Sequence, residues 1–314
     1  MTKSLVFASI LALVVLGGGC SAGTANSTTS TTIPAVTSTA LETTSTTATT
    51  LPAGVFETIR QQETESRLTY AGTWTASDNS SASEGSFSFA DSSGASLTIR
   101  LVGTQLSWIA KKSPAYGKAK VTVDGSEVGS VDLYSSDEAW QQVVWQSDTL
   151  SPGPHAVTIA WTGEKTAAAT GTKINVDAIE VHGVLTGRYQ QTNAKLVYAG
   201  GWKAESNASA SGGNFAFANA SGASVTIRFN GVHLVWLAKK SSVYGQAQVT
   251  VDGGSPVTVD LYNADVLWRQ EVWNSGVLGS GSHTVVIQWT GNKNAAATDT
   301  NINVDYLDVT GTLE

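Results

Sequence analysis

From Leu97 to Leu101 apolar and polar residues alternate one for one, with Leu97, Ile99 and Leu101 separated by Thr98 and Arg100. The same period of two returns at Val121-Thr122-Val123 and along Val157, Ile159 and Trp161. Alternation of this kind turns one face of an extended chain to a core and the other to water, so each run predicts a half-buried β-strand. Turn residues separate the runs at Val102-Gly103-Thr104, at Asp124-Gly125 and at Ser151-Pro152-Gly153-Pro154. No stretch in this region pairs a helical apolar period with adequate length.

The pattern is written twice. Tyr70, Trp108, Asp124, Trp161 and Asp177 return as Tyr198, Trp236, Asp252, Trp289 and Asp305, each 128 residues later and without a gap. A period of this length fixes the organisation before any local reading, and it predicts two domains, 57–184 and 185–314, with a very short linker. Roughly eight strands in each, joined by antiparallel connections, predict an all-β chain of two tandem antiparallel β-sandwich (jelly-roll) domains.

Ahead of the repeats lies a different kind of sequence. Residues 1–20 hold one lysine, Lys3, an apolar run from Leu5 to Leu16, three glycines and then Cys20, the chain's single cysteine. The run is too short to span a bilayer, and it predicts an export signal. A lone thiol after small residues resembles the lipobox of bacterial lipoproteins, which implies lipidation of Cys20 and a protein held on the outer face of a bacterial membrane, with the lipid bilayer as a partner. Residues 21–56, rich in Ser and Thr, lack the apolar content that offsets chain ordering, and they predict a disordered tether. A net charge of -7 argues against nucleic acid as a partner, because phosphate binding needs a basic surface. A monomer is expected.

The framework Y-A-G-x-W, F-x-F, V-T-V-D-G, V-D-L-Y, G-x-H-x-V-x-I and I-N-V-D resembles the galactose-binding-like jelly roll. The closing N-I-N-V-D-Y-L-D-V is similar to the end of carbohydrate-binding modules of families 6 and 35. The resemblance implies a glycan or cell-wall polymer as partner, and it implies that Asn175 and Asn303 contact sugar. It also makes a structural calcium possible, yet the early acidic pair that some such modules use is not evident near Tyr70. No other cofactor is expected.

Catalytic signatures are missing. The repeats, 57–314, have no G-x-S-x-G, the chain has no H-E-x-x-H and no Cys/His cluster, and of its four histidines only His155 and His283 occupy equivalent places. Their position between a glycine turn and a strand predicts turn hydrogen bonds, so the chain is expected not to be an enzyme.

Strand counting indicates where a ligand would sit. If successive strands alternate in direction, the loops 111–118, 134–140 and 162–172 share one end of the first sandwich. That end would gather Lys111, Lys112, Tyr116, Tyr134, Trp140 and Lys165, repeated as Lys239, Lys240, Tyr244, Tyr262, Trp268 and Lys293. Aromatic rings suit the apolar faces of pyranoses, and lysines suit hydroxyls or an acid. The competing reading makes the lysines solvated loop charges. Trp140 and Trp268 are expected as platforms, Trp108, Trp236, Trp161 and Trp289 as core, and Trp74 and Trp202 as covers over it. These readings together predict a non-catalytic, cell-surface carbohydrate-binding lipoprotein, the alternative being a structural or adhesive protein that binds a protein partner.

Overall fold

The computed structural model describes residues 56–314, so the signal, Cys20 and most of the tether lie outside the described residues. The first repeat opens with β1 (Thr58–Gln62), β2 (Thr69–Ala71), β3 (Thr75–Asp78) and β4 (Ser86–Ala90). It continues through the long β5 (Ser96–Lys112), then β6 (Lys118–Val123), β7 (Ser126–Asp132) and β8 (Ala139–Gln146). It ends in β9 (Gly153–Trp161), β10 (Ile174–Val176) and β11 (Ala178–Gln190). The second repeat follows as β12 (Val197–Ala199), β13 (Lys203–Ser206), β14 (Asn214–Ala218), β15 (Ser224–Lys240) and β16 (Gln246–Val251). Its remaining strands are β17 (Val257–Asp260), β18 (Leu267–Asn274), β19 (Gly281–Trp289), β20 (Ile302–Val304) and β21 (Tyr306–Leu313). Every pairing between these strands is antiparallel, and the described residues are almost wholly β.

The 17-residue strand β5 holds the first repeat together because it serves two sets of partners. Its first half pairs with β9 and β2, and its second half pairs with β11 and β8. Between the halves the inward phase changes, from Leu97, Ile99 and Leu101 to Leu106, Trp108 and Ala110, all fully buried. Such a change needs one extra residue. Thr104 supplies it, since Gly103 pairs with Gly183 and Gln105 with His182, leaving Thr104 as a bulge. Glycine is required at the crossing because a Cβ on Gly103 would lie 2.8 Å from the Gly183 Cα. In the second repeat Val232 is the extra residue, between Gly231, paired with Gly311, and His233, paired with Thr310.

Each repeat has its own core. In the first, Ala90, Ile174 and Val176 of the small sheet β10-β4-β3 pack with Leu97, Ile99, Trp108, Val121 and Ile159 of the large sheet, as a sandwich requires. In the second, Ile302 and Val304 meet Ile227, Phe229, Trp236 and Ile287 in the same way. Trp108 and Trp236 are fully buried, and their indole N–H groups donate to the carbonyls of Asn175 and Asn303 at 3.0 and 3.1 Å. Trp161 and Trp289 are less enclosed than their phase predicts. They are half-buried, with each indole N–H on a loop carbonyl, Thr172 or Thr300, at 2.8 Å.

The expected boundary between residues 184 and 185 falls inside β11, with no loop there. Residues Ala178 to Leu185 pair with β5, and Thr186 to Gln190 pair with Thr310 to Tyr306 of β21. This second register repeats that of β1 against the start of β11, where Thr58 to Gln62 face His182 to Ala178. The last strand of the first repeat therefore runs directly into the first strand of the second. A 15-stranded sheet results.

Candidate functional site

Three loops of the first repeat are knitted into one end of the sandwich. Ser113 N–H donates to the Leu133 carbonyl at 3.2 Å, and Thr170 N–H to the Pro114 carbonyl at 2.7 Å. Lys118 N–H reaches the Glu164 carbonyl at 2.9 Å, and Tyr116 forms a bridge with Lys173. β5 itself extends through Lys112, so the lysine pair ends a strand rather than opening a loop. Alternation along that strand separates the two side chains, which sets Lys111 among the aromatics and turns Lys112 to the other face.

Lys111, Tyr116 and Trp140 converge. The Lys111 Nζ lies 4.2 Å from the Trp140 ring centroid and 6.0 Å from that of Tyr116. Trp140 packs edge-on against Phe87 with centroids 5.2 Å apart, so its ring is half-buried rather than a free platform. Gln141 directly after it has φ 53°, a left-handed conformation strained for a residue other than glycine. That kink, repeated at Arg269 with φ 55°, follows the tryptophan in both copies. The second copy places Lys239 Nζ 4.4 Å from Trp268, 5.8 Å from Tyr244 and 5.5 Å from Phe215. Tyr116 and Tyr244 are buried, and burial pushes both phenol pKa values upward.

One substitution separates the copies. Glu138 Oε1 accepts a hydrogen bond from Lys111 Nζ at 2.5 Å, which neutralises the ammonium on the Trp140 face. The ion pair holds the Glu138 carboxyl below the usual range. The equivalent position in the second repeat is Val266, 58% exposed, and Lys239 has no ion pair among the described residues.

The other expected site residues are placed differently. Lys165 Nζ donates to the Ala169 carbonyl at 2.8 Å, which staples its own loop, and Lys293 is exposed. Lys240 has the same half-buried strand-end place as Lys112. Tyr134 and Tyr262 are half-buried in turns where Asp132 and Asp260 accept their backbone N–H at 2.9 Å. Asn175 and Asn303 require a correction: both are fully buried and have no surface for sugar. Their Oδ1 atoms accept the N–H of Lys111 and Lys239 at 2.8 Å, and their Nδ2 atoms donate to the carbonyls of the same lysines at 2.8 Å. Each asparagine thus stands in for a neighbouring strand beneath the lysine. His155 and His283 hold turns, with Nδ1 on Asp124 and Asp252 and Nε2 on the carbonyls of Ser151 and Gly279, all at 2.7 Å.

Two features escaped the sequence. Trp202 and Tyr198, with centroids 5.1 Å apart, line a pocket of about 250 Å3 with Gln191 and Lys203, so Trp202 is more than a cover. The second is a set of buried oxygens. Among the described residues no group of three or more His, Cys, Asp or Glu is placed for a metal ion. Yet Gln62 Oε1, Glu63 Oε2 and Asp177 Oδ2 are buried without a hydrogen-bond donor. Glu63 and Asp177 are 2% and 0% exposed. Burial raises the Asp177 pKa, and the Glu63 charge adds to it. Buried oxygen acceptors that outnumber donors suit a hard cation, so Gln62, Glu63 and Asp177 fit calcium. Glu63 lies seven residues before Tyr70 in the sequence, and Asp177, at the far end of the repeat, is the second carboxylate of the set. In the second repeat Gln191 replaces Glu63, and Asp305 is the single carboxylate beside Gln190 and Gln191.

No family model matches the chain. It is 27% identical over 234 residues to the A type blood alpha-D-galactosamine galactosaminidase of Flavonifractor plautii, a match covering 70% of this chain and 20% of that protein. It is 32% identical over 108 residues to the A type blood N-acetyl-alpha-D-galactosamine deacetylase of the same organism, covering 34% of this chain and 14% of the relative. The chain thus spans about a fifth or less of each curated relative's length. A solved structure, the xanthan lyase of Paenibacillus, is 16% identical with a TM-score of 0.32, over 81% of this chain and 26% of that one. These findings overturn the expectation that the chain stands apart from enzymes, since both curated relatives are named as carbohydrate-processing enzymes.

Proposed function

We propose that the chain serves in carbohydrate processing, and that its two repeats, 57–184 and 185–314, are glycan-contacting jelly-roll modules of the galactose-binding-like type. The observation that carries the reading is Lys239, poised 4.4 Å from the Trp268 ring beside Tyr244 and without an ion pair among the described residues. A pyranose offers an apolar face to the indole while its substituents take hydrogen bonds from the ammonium. An N-acetylated galactosamine suits this pair well. Its acetamide oxygen accepts from Lys239 and its methyl group packs near Trp268 and the exposed Val266, and galactosamine is the sugar named in both curated relatives. In the first copy Glu138 competes for Lys111, so the second copy is the stronger site. Two copies on one sheet would gain from a polymer that reached both. As part of the same proposal, a lipid on Cys20 holds the modules at the outer face of a bacterial membrane, at the end of the Ser/Thr tether.

The test is binding of N-acetylgalactosamine-terminated glycans to the full chain by calorimetry. Truncating an aromatic anchor costs about 2 kcal/mol or more, so Trp268→Ala should weaken binding more than tenfold. Trp140→Ala should weaken it less. Equal binding by wild type and Trp268→Ala would reject the site.

A further inference from the structure

The continuous strand β11 creates a feature that neither repeat holds alone. A cavity of about 230 Å3 lies across the seam, with Arg100 and Pro154 from the first repeat, Thr186 at the join, and His233, Val235 and Asp308 from the second. The side chains stand on adjacent strands of one sheet, since β5, β11, β21 and β15 are neighbours in that order.

Most of the charge near the cavity is already committed. Asp308 takes both hydrogen bonds of the Arg188 fork, at 2.9 and 2.8 Å. Asp124, which also lines the cavity, is held by His155 and by the Ala156 N–H. Arg100 is different. It is half-buried, and its guanidinium makes no hydrogen bond or ion pair with another described residue. Burial and the neighbouring Arg188 lower its pKa, with Asp308 and Tyr306 opposing, and an arginine stays charged at neutral pH through shifts of this kind. His233 is 6% exposed, its ring nitrogens likewise have no partner among the described residues, and burial lowers its pKa, which keeps the ring neutral at pH 7. The cavity therefore holds one unpaired cation and one free neutral donor, with Pro154 and Val235 as apolar walls.

We propose that this seam cavity is a second ligand site, which binds a single acidic sugar residue through its anionic group. The Arg100 fork matches the paired oxygens of a carboxylate or sulfate, His233 adds a neutral donor, and the apolar walls take a ring face. The volume lies below the roughly 300–1,000 Å3 of drug-sized pockets, which suits one ring rather than an extended chain. The site is separate from the Lys239–Trp268 cluster and does not depend on it.

Titration of the full chain, followed by the Arg100 side-chain and His233 ring NMR signals, tests the proposal with four probes: galacturonate, galactose 6-sulfate, galactose and inorganic sulfate. Either acidic sugar should shift both signals, and the pair identifies which anion is preferred. Galactose should not shift them, and inorganic sulfate should bind more weakly than the acidic sugars for want of a ring. Arg100→Gln should weaken binding at least tenfold. Arg100→Lys, which keeps the charge and loses the fork, should fall in between and covers the case of a misfolded Arg100→Gln. Trp268→Ala should bind the acidic sugars as wild type does. No shift with either acidic sugar, equal shifts with galactose, or unchanged binding by Arg100→Gln would overturn the proposal.

Discussion

Asn303→Ala tests how the lysine platform is held. Asn303 is fully buried on β20, and its side-chain amide makes two hydrogen bonds of 2.8 Å to the backbone N–H and carbonyl of Lys239. Alanine would leave one donor and one acceptor without partners. A buried group left in that state costs about 1–3 kcal/mol, which bounds the loss at roughly 2–6 kcal/mol. Lys239 is half-buried, and water reaching its backbone after the truncation brings the expected loss to about 2–3 kcal/mol. Urea denaturation followed by tryptophan fluorescence reads this directly. With a slope of about 2 kcal/mol/M the midpoint should fall by about 1 M or slightly more. Asn303→Asp adds a sign test. Its carboxylate still accepts the Lys239 N–H, but its second oxygen faces the carbonyl until the group is protonated. The variant should be destabilised at pH 7 and partly recover in acid. If Asn303→Ala stayed within about 0.5 kcal/mol of wild type while glycan retention vanished, the asparagine would be a sugar contact and the structural reasoning would fail.

Three further outcomes follow from the same geometry. Gly183→Ala should cost more than about 2 kcal/mol in a melting experiment, because the added Cβ would lie 2.6 Å from the Gly103 Cα, between backbones that cannot move independently. For His283 burial opposes the charged ring, but the hydrogen bonds to Asp252 and the Gly279 carbonyl win, so its folded pKa lies above the ordinary value of 6.5. Its contribution is then full below pH 6.5 and lost as pH rises through the folded value, and Asp252→Asn should flatten that part of the stability profile. Calcium added to chelator-treated protein should raise the melting temperature, and Glu63→Gln should blunt the response by removing one of two carboxylates. No response in wild type would leave Glu63 and Asp177 as an uncompensated buried pair.

Much of the architecture is legible in the chain. The period of two, the turn residues and the 128-residue repeat specify antiparallel strands and the faces they bury, because burial of alternate side chains is a local property of an extended chain. Counting strand directions also brings Lys111, Tyr116 and Trp140 to one end, since only connectivity is needed. Other features depend on partners distant in sequence. Asn175 and Val176 look like ordinary alternation, yet both are fully buried, because β10 lies over the end of β5 and the asparagine finds a backbone to bond there. Glu63 and Asp177 are more than a hundred residues apart, and no spacing rule joins them.

The chain by itself determined the alphabet of this protein: strands, turns, a duplicated core and a lysine next to aromatics in each copy. The tertiary structure decided how those units are used. It ran the last strand of one repeat into the first of the next, because Thr186–Gln190 find in β21 the register that Thr58–Gln62 find in β11. It let Glu138 neutralise Lys111 while Lys239, with Val266 in the equivalent place, has no ion pair among the described residues, and it brought Arg100 and His233 to one cavity at the seam. Local periodicity reports which face of a strand is buried; only the folded chain decides which charges meet, because an ion pair or a cavity depends on distances that successive residues do not encode.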